Sequence, residues 1–93
     1  MGNEIKYIFE RTEKKYLLTE KQYKLLLEKY PELALLSKRE FEVFAQLLTD
    51  KTQAQIAEEL FVSHSSVHFH CKNIYKKLSI NSRKQLLIKY KEI

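Results

Sequence analysis

Apolar residues in the second half of the chain recur at helical intervals. Between residues 64 and 78 they fall at i, i+4, i+7 and i+11, as Val67, Cys71, Ile74 and Leu78. This spacing puts them on one face of a helix, so we expect a single buried stripe there. Ala57 lies in a further helix predicted at about 53–60, and its small side chain would let the two helices approach closely.

Side chains that can cap helices mark where the helices begin. A hydroxyl residue followed three positions later by Glu or Gln is the pattern of a capping box. It occurs as Thr19 with Gln22, Ser37 with Glu40, Thr52 with Gln55, and Ser82 with Gln85. Ser63 can cap a further helix, and Pro31 would close the first one. The pattern predicts helices at about 20–30, 38–49, 53–60, 64–78 and 83–92.

The connectors 49–52 and 61–63 are short. Two helices joined by about 3–4 residues and crossing steeply form a helix-turn-helix. In the pair joined by 61–63, the second helix, predicted at about 64–78, has a polar and basic outer face. This face is long enough to lie in a DNA major groove. This face carries Ser65, His68, Phe69, Lys72 and Lys76.

The first 35 residues are less clearly patterned. Ile5, Tyr7 and Phe9 alternate as in a strand, yet residues 5–16 also satisfy a helical stripe, so periodicity leaves both alternatives open. The helix after Thr19 has a better apolar stripe. We hypothesise that this N-terminal extension, residues 1–35, docks on the face of Phe41 and its neighbours and enlarges a small core.

Composition favours an all-α fold. The 93 residues contain 44% hydrophobic residues but one Gly and one Pro, too few for a turn-rich β fold. The single Cys71 rules out an intramolecular disulfide and favours a reducing cytoplasm. No apolar run is long enough to span a membrane, and the N-terminus lacks the apolar core of a signal peptide. We therefore expect a cytoplasmic protein with no membrane partner.

Positive charge is concentrated in the last third of the chain. Residues 1–35 carry 7 − 6 = +1, residues 36–60 carry 3 − 5 = −2, and residues 61–93 carry 7 − 1 = +6. A basic patch on one side of a small domain is typical of a polyanion binder. His64, His68, His70 and Cys71 would not converge on one metal ion. No catalytic constellation or phosphate-binding Gly loop is found, so we expect a non-enzyme without cofactor or metal.

About half of the chain resembles the LuxR/GerE-type helix-turn-helix domain of bacterial transcription regulators. The resemblance rests on residues at matching spacing: Leu36, Ser37, Arg39, Glu40, Glu42 and Val43; Ile56, Ala57, Glu58, Leu60, Phe61, Val62 and Ser63; Ser66, Val67, His70, Asn73, Ile74, Tyr75, Lys77 and Leu78; and Arg83. It implies a four-helix DNA-binding domain over residues 36–93, whose third helix enters the major groove.

The resemblance also implies roles for individual residues. His68, Phe69 and Lys72 would face base edges of double-stranded DNA, with Ser65 on the same face. Backbone and phosphate contacts would come from Thr52, Ser63, Ser66, His70 and Asn73, and the charge of Lys76 adds it to the set. The last helix would pair two protomers into a homodimer. Its apolar stripe suits either a monomer core or this seam, and the resemblance favours the seam for Leu87 and Tyr90.

Three positions depart from the family pattern. Asp50 stands where the family usually has Gly, His68 where it has Lys, and Phe69 is larger than the common occupant. His68 would make binding depend on pH, whereas Phe69 suits thymine methyl groups or a protein surface.

The prediction is a dimeric DNA-binding transcription regulator. The alternative is a degenerate helix-turn-helix module that binds another regulator or polymerase, through Phe69 and the tyrosine-rich extension. A third hypothesis, the output end of a larger signalling protein, is disfavoured by numbering from Met1. Target sequence, activation or repression, and the controlling signal lie beyond the sequence.

Overall fold

The computed structural model describes the backbone of residues 5–11 and 14–93 and the side chains of residues 23–93. Two strands open the described chain and helices follow. The elements are β1 (Ile5–Arg11), β2 (Lys14–Thr19), α1 (Glu20–Lys29), a 3-10 helix (Pro31–Leu35), α2 (Lys38–Leu47), α3 (Gln53–Leu60), α4 (His64–Lys77) and α5 (Arg83–Lys89).

Strands β1 and β2 form an antiparallel hairpin, with Phe9 opposite Tyr16 and Arg11 opposite Lys14. Of the two alternatives left open for this stretch, the alternating pattern is therefore correct, and β1 lies beside α2. From residue 20 onward the regular elements are helices, which confirms the all-helical domain and the partly helical extension. The hairpin adds two strands in front of them.

Side-chain caps fix the helix starts as the sequence predicts. At α2, Ser37 Oγ accepts from Glu40 N at 3.1 Å and Glu40 Oε1 accepts from Ser37 N at 2.9 Å, so this capping box is complete. The Thr52–Gln55 box at α3 is also complete. At α5 only half forms, because Gln85 Oε1 accepts from Asn81 N instead. The predicted Thr19–Gln22 box lies outside the described side chains.

The core is built around α2, which packs on α4. The predicted stripe of α4 is buried throughout, and Val43, Phe44 and Leu47 of α2 are fully buried. Ile56 and Ala57 bring α3 against the same cluster. Removing these apolar side chains from water is the main stabilising contribution to such a domain.

The segment before α2 shares this core. Leu33 of the 3-10 helix is fully buried, and the ring of Tyr23 in α1 meets Phe41 edge-on at 5.1 Å. Tyr30 meets the ring of Tyr90 at 5.0 Å. Residues on both sides of position 36 therefore pack together, and the division into 1–35 and 36–93 stays a prediction.

Candidate nucleic-acid interface

Helices α3 and α4 are joined by the tight turn 61–63. Phe61 ends α3 in the left-handed conformation, with φ 56° and ψ 44°. The backbone N–H of Val62 then donates to Ala57 O at 3.0 Å, which closes the helix end. Ser63 follows in an extended conformation, and its side chain accepts a hydrogen bond from Ser66 N, which caps α4. The geometry is that of a helix-turn-helix, with α4 as the second helix.

The face of α4 opposite the core is exposed along its length. Ser65, His68, Phe69, Lys72 and Lys76 all lie there, and the ring of Phe69 is 61% exposed. The structure thus brings together the residues for which base contact was predicted. Basic, imidazole and aromatic groups on one solvent-facing helix surface can hydrogen-bond base edges and contact thymine methyl groups.

Hydroxyl groups cluster at the start of α4. Ser63 Oγ accepts from Ser66 N at 3.1 Å and donates to Ser66 Oγ at 2.9 Å, and Ser65 Oγ lies 3.1 Å from it. Thr52 is likewise exposed at the start of α3. The predicted phosphate-binding hydroxyls are therefore at two helix N-termini, where backbone N–H groups and the helix dipole favour anions.

Ser66, His70 and Asn73 lie on one flank of α4 and are half-buried. Among the described residues, Nδ1 of His70 is buried without a hydrogen-bond partner. The ring of His70 also meets Phe69 at 5.9 Å between centroids. These three residues are thus less accessible than the exposed set on the outer face.

Three of the seven basic residues in 61–93 form ion pairs or hydrogen bonds with other groups of the same chain. Lys77 Nζ lies 2.6 Å from Glu40 Oε1. Arg83 donates from Nε to Leu47 O at 3.0 Å and from Nη2 to Thr49 O at 2.7 Å. Lys89 Nζ donates to Leu78 O at 3.0 Å. Sequence reasoning missed these internal roles, and the Ser37–Glu40 capping box was the one local sign that Glu40 is structural.

The prediction that Tyr90 lies in a dimer seam is wrong. Its side chain is fully buried within one protomer, where it meets the rings of Tyr30 and Phe44. The hydroxyl donates to Glu32 Oε2 at 2.7 Å. Burial, together with this carboxylate, raises the pKa of Tyr90 strongly. Leu87 is on the surface of α5 and is 37% exposed.

The turn at Asp50 does not need glycine. In the described chain the non-glycine residues with positive φ are Phe61 and Ser79, so Asp50 does not adopt the positive φ that favours glycine. Instead Thr49 Oγ1 donates to Gln46 O and accepts from Lys51 N at 3.1 Å, which fixes the turn locally.

Cys71 is buried, and burial raises the pKa of its thiol. Within the described part of the chain, no three His, Cys, Asp or Glu side chains are grouped to hold a metal ion. In this described part of the chain, no helix has the length and apolar character needed to span a membrane.

The fold and the outer face of α4 define a helix-turn-helix regulator domain, and comparison with known proteins identifies its family. The model of the bacterial regulatory proteins of the luxR family matches residues 34–90, so the chain belongs to that family of transcription regulators. The resemblance inferred from the sequence is confirmed.

Curated relatives agree with this family. The chain is 46% identical over 54 residues to the spore germination protein GerE of Bacillus subtilis, covering 58% of this chain and 73% of that protein. It is 37% identical over 70 residues to a nitrate/nitrite response regulator protein homolog of Haemophilus influenzae, covering 72% and 34%. For the transcriptional regulatory protein LnrK of Bacillus subtilis the values are 39% over 71 residues, 74% and 32%.

The chain therefore spans nearly three quarters of the first relative and about a third of the other two. No solved structure matches it significantly.

Proposed function

We propose that the protein binds double-stranded DNA sequence-specifically and regulates transcription, with α4 in the major groove. The observation that carries this proposal is the continuous exposed face of α4 beyond the helix-turn-helix turn. It combines basic, imidazole and aromatic side chains, and no acidic residue occurs between 61 and 91. The names of two relatives, a response regulator and a transcriptional regulatory protein, support regulation as the outcome of binding.

Residue roles follow from position on α4. His68, Phe69 and Lys72 read base edges from the outer face, next to Ser65. Lys76 adds charge one turn further along. Phosphate contacts come from residues at the helix starts and on the flank: Thr52, Ser63, Ser66, His70 and Asn73.

Two protomers bind together through α5, with Leu87 in the seam. Exposed Ile88, 61% accessible, replaces Tyr90 as the second apolar side chain available to it. A two-fold dimer would read two half-sites about one helical turn apart. The protein acts by binding rather than by catalysis, and it needs neither cofactor nor metal.

Selection of bound fragments from a random duplex pool at about 150 mM salt tests the proposal, because phosphate binding without sequence preference is partly screened there. Enrichment of a two-fold-symmetric motif is the expected result. Binding that weakens steeply with salt and enriches no motif would refute sequence reading. A protein partner at Phe69 or the N-terminal extension would then be the better proposal, since Phe69 and Leu25 both expose apolar surface.

A further inference from the structure

Glu40 connects the first turn of α2 to the last turn of α4. Its Oε1 accepts from Ser37 N at 2.9 Å and from Lys77 Nζ at 2.6 Å. The glutamate side chain is 8% exposed, whereas the lysine side chain is 38% exposed. One nearly buried carboxylate oxygen therefore binds both the capping-box N–H and Lys77 at the end of α4, 37 residues later in the chain.

Lys77 is directed away from the face proposed to meet DNA. Successive residues of a helix are rotated by about 100°, so neighbouring Lys76 lies on the exposed outer face and Lys77 on the side of α2. Moving the Lys77 ammonium to a phosphate would leave the Glu40 carboxylate buried without its cation, which is costly. The two adjacent lysines thus lie on different faces of α4.

Arg83, the first residue of α5, attaches a different helix to α2. Its guanidinium binds Leu47 O and Thr49 O at the C-terminal end of the helix, whereas Lys77 binds near the N-terminal end. Glu40 and Leu47 are seven residues apart, which is about 10 Å along a helix. Lys77 therefore attaches α4 near the N-terminal end of α2, and Arg83 separately attaches α5 near its C-terminal end.

We infer that the Lys77–Glu40 ion pair is a positioning device for DNA sequence selectivity: it sets the orientation of α4, and Lys77 makes no phosphate contact. This inference rests on the proposed DNA-binding function. A misoriented helix still presents its charges to phosphates but loses base contacts, because base readout requires defined hydrogen-bond geometry. The pair therefore acts on the ratio of affinities for specific and random duplexes.

The test compares Lys77→Met with the matched control Lys76→Met. Affinities for the selected operator and a random duplex are measured over a series of salt concentrations, well below the melting temperature of each variant. Lys77→Met should lower the specific-to-random ratio by a factor of about 3 to 10, in the range for directly coupled residues, and leave the salt slope unchanged. Lys76→Met should reduce the salt slope by about 1.

Further variants separate positioning from simple destabilisation. Glu40→Gln should lower the specific-to-random ratio as Lys77→Met does. The double variant with both changes should lower the ratio no further than either single change. Lys77→Arg should retain the wild-type ratio. Glu42→Gln, on the same helix but outside the pair, should leave it unchanged. A reduced salt slope for Lys77→Met, or additive losses in the double variant, would overturn the inference.

A measurement without DNA distinguishes failure of this inference from failure of the proposed function. Burial alone raises the pKa of Glu40, but hydrogen bonds from Lys77 and Ser37 and the Lys77 charge outweigh it and lower the pKa. NMR titration of the Glu40 carboxyl should show a higher pKa in Lys77→Met. An unchanged pKa in Lys77→Met would refute the ion pair itself. A raised pKa in Lys77→Met, together with a wild-type protein that selects no DNA sequence, would instead refute the DNA-binding proposal.

Discussion

Replacing Tyr90 by Phe removes one hydroxyl and keeps the buried ring. The lost hydrogen bond to Glu32 is charge-assisted, a class that contributes about 1.5–3 kcal/mol. Glu32 is 27% exposed and keeps Lys89 at 3.6 Å, so solvent access reduces the expected loss to about 1 kcal/mol. For a domain of this size, the melting temperature should then fall by about 4–8 °C.

Circular dichroism melting at several protein concentrations measures this effect. Tyr90→Ala should cost about 3–5 kcal/mol, because it also removes a ring packed between Tyr30 and Phe44. Both losses should be independent of protein concentration, since the contacts lie within one protomer. An unchanged melting temperature for Tyr90→Phe, or a loss that appears only at concentrations where dimers form, would refute this reasoning.

The effect of Tyr90→Phe should also depend on pH. Burial raises the pKa of Glu32, but the hydrogen bond from Tyr90 and the charge of Lys89 are among the effects that outweigh it, so the net pKa lies below 4.5. A carboxyl with a lowered pKa in the folded state stabilises it above the unfolded pKa, and this stabilisation is lost as pH falls through the folded pKa. The difference between wild type and Tyr90→Phe should therefore shrink at pH below about 4.

Other substitutions test separate parts of the molecule. Phe61→Asn should raise the free energy of unfolding in urea by about 0.5–1 kcal/mol, because Asn tolerates the left-handed conformation better; a decrease would mean that the ring packs on a neighbour. Deleting residues 1–34 should lower the melting temperature by removing Leu33, and an unchanged value would contradict packing of the extension. Lys72→Ala should weaken operator binding by about 1–3 kcal/mol, and an equal loss on random duplexes would indicate phosphate contact alone.

Local signals made the helical part of the fold predictable. The Ser37 and Thr52 caps each depend on two residues three positions apart, and the Val67–Leu78 stripe depends on the helical period. Both patterns are local, so they can be recognised in a single sequence. The hairpin was ambiguous because residues 5–16 match strand and helix periods equally well. In the structure β1 pairs with β2 and lies beside α2, and the sequence displays neither contact.

Residue partners far apart in the chain were not predictable. An apolar stripe on α5 shows that a face is buried but not whether the covering surface belongs to the same protomer, which is why the seam was wrongly extended to Tyr90. Lys77 and Arg83 bind groups 34–37 residues away. From the net charge alone, both residues are assigned to the basic surface, although each binds a group within the fold.

The bond between Glu32 and Tyr90 has a consequence for biosynthesis. Its two residues are 58 positions apart, so at about 5–20 residues per second the ribosome makes Tyr90 roughly 3–12 s after Glu32. Helix–coil relaxation takes about a microsecond or less, so α1 can form and melt many times during this delay. The ring contact between Tyr30 and Tyr90 cannot form until Tyr90 has been made, which leaves the apolar surface of Tyr30 open to chaperones or to neighbouring nascent chains in the meantime.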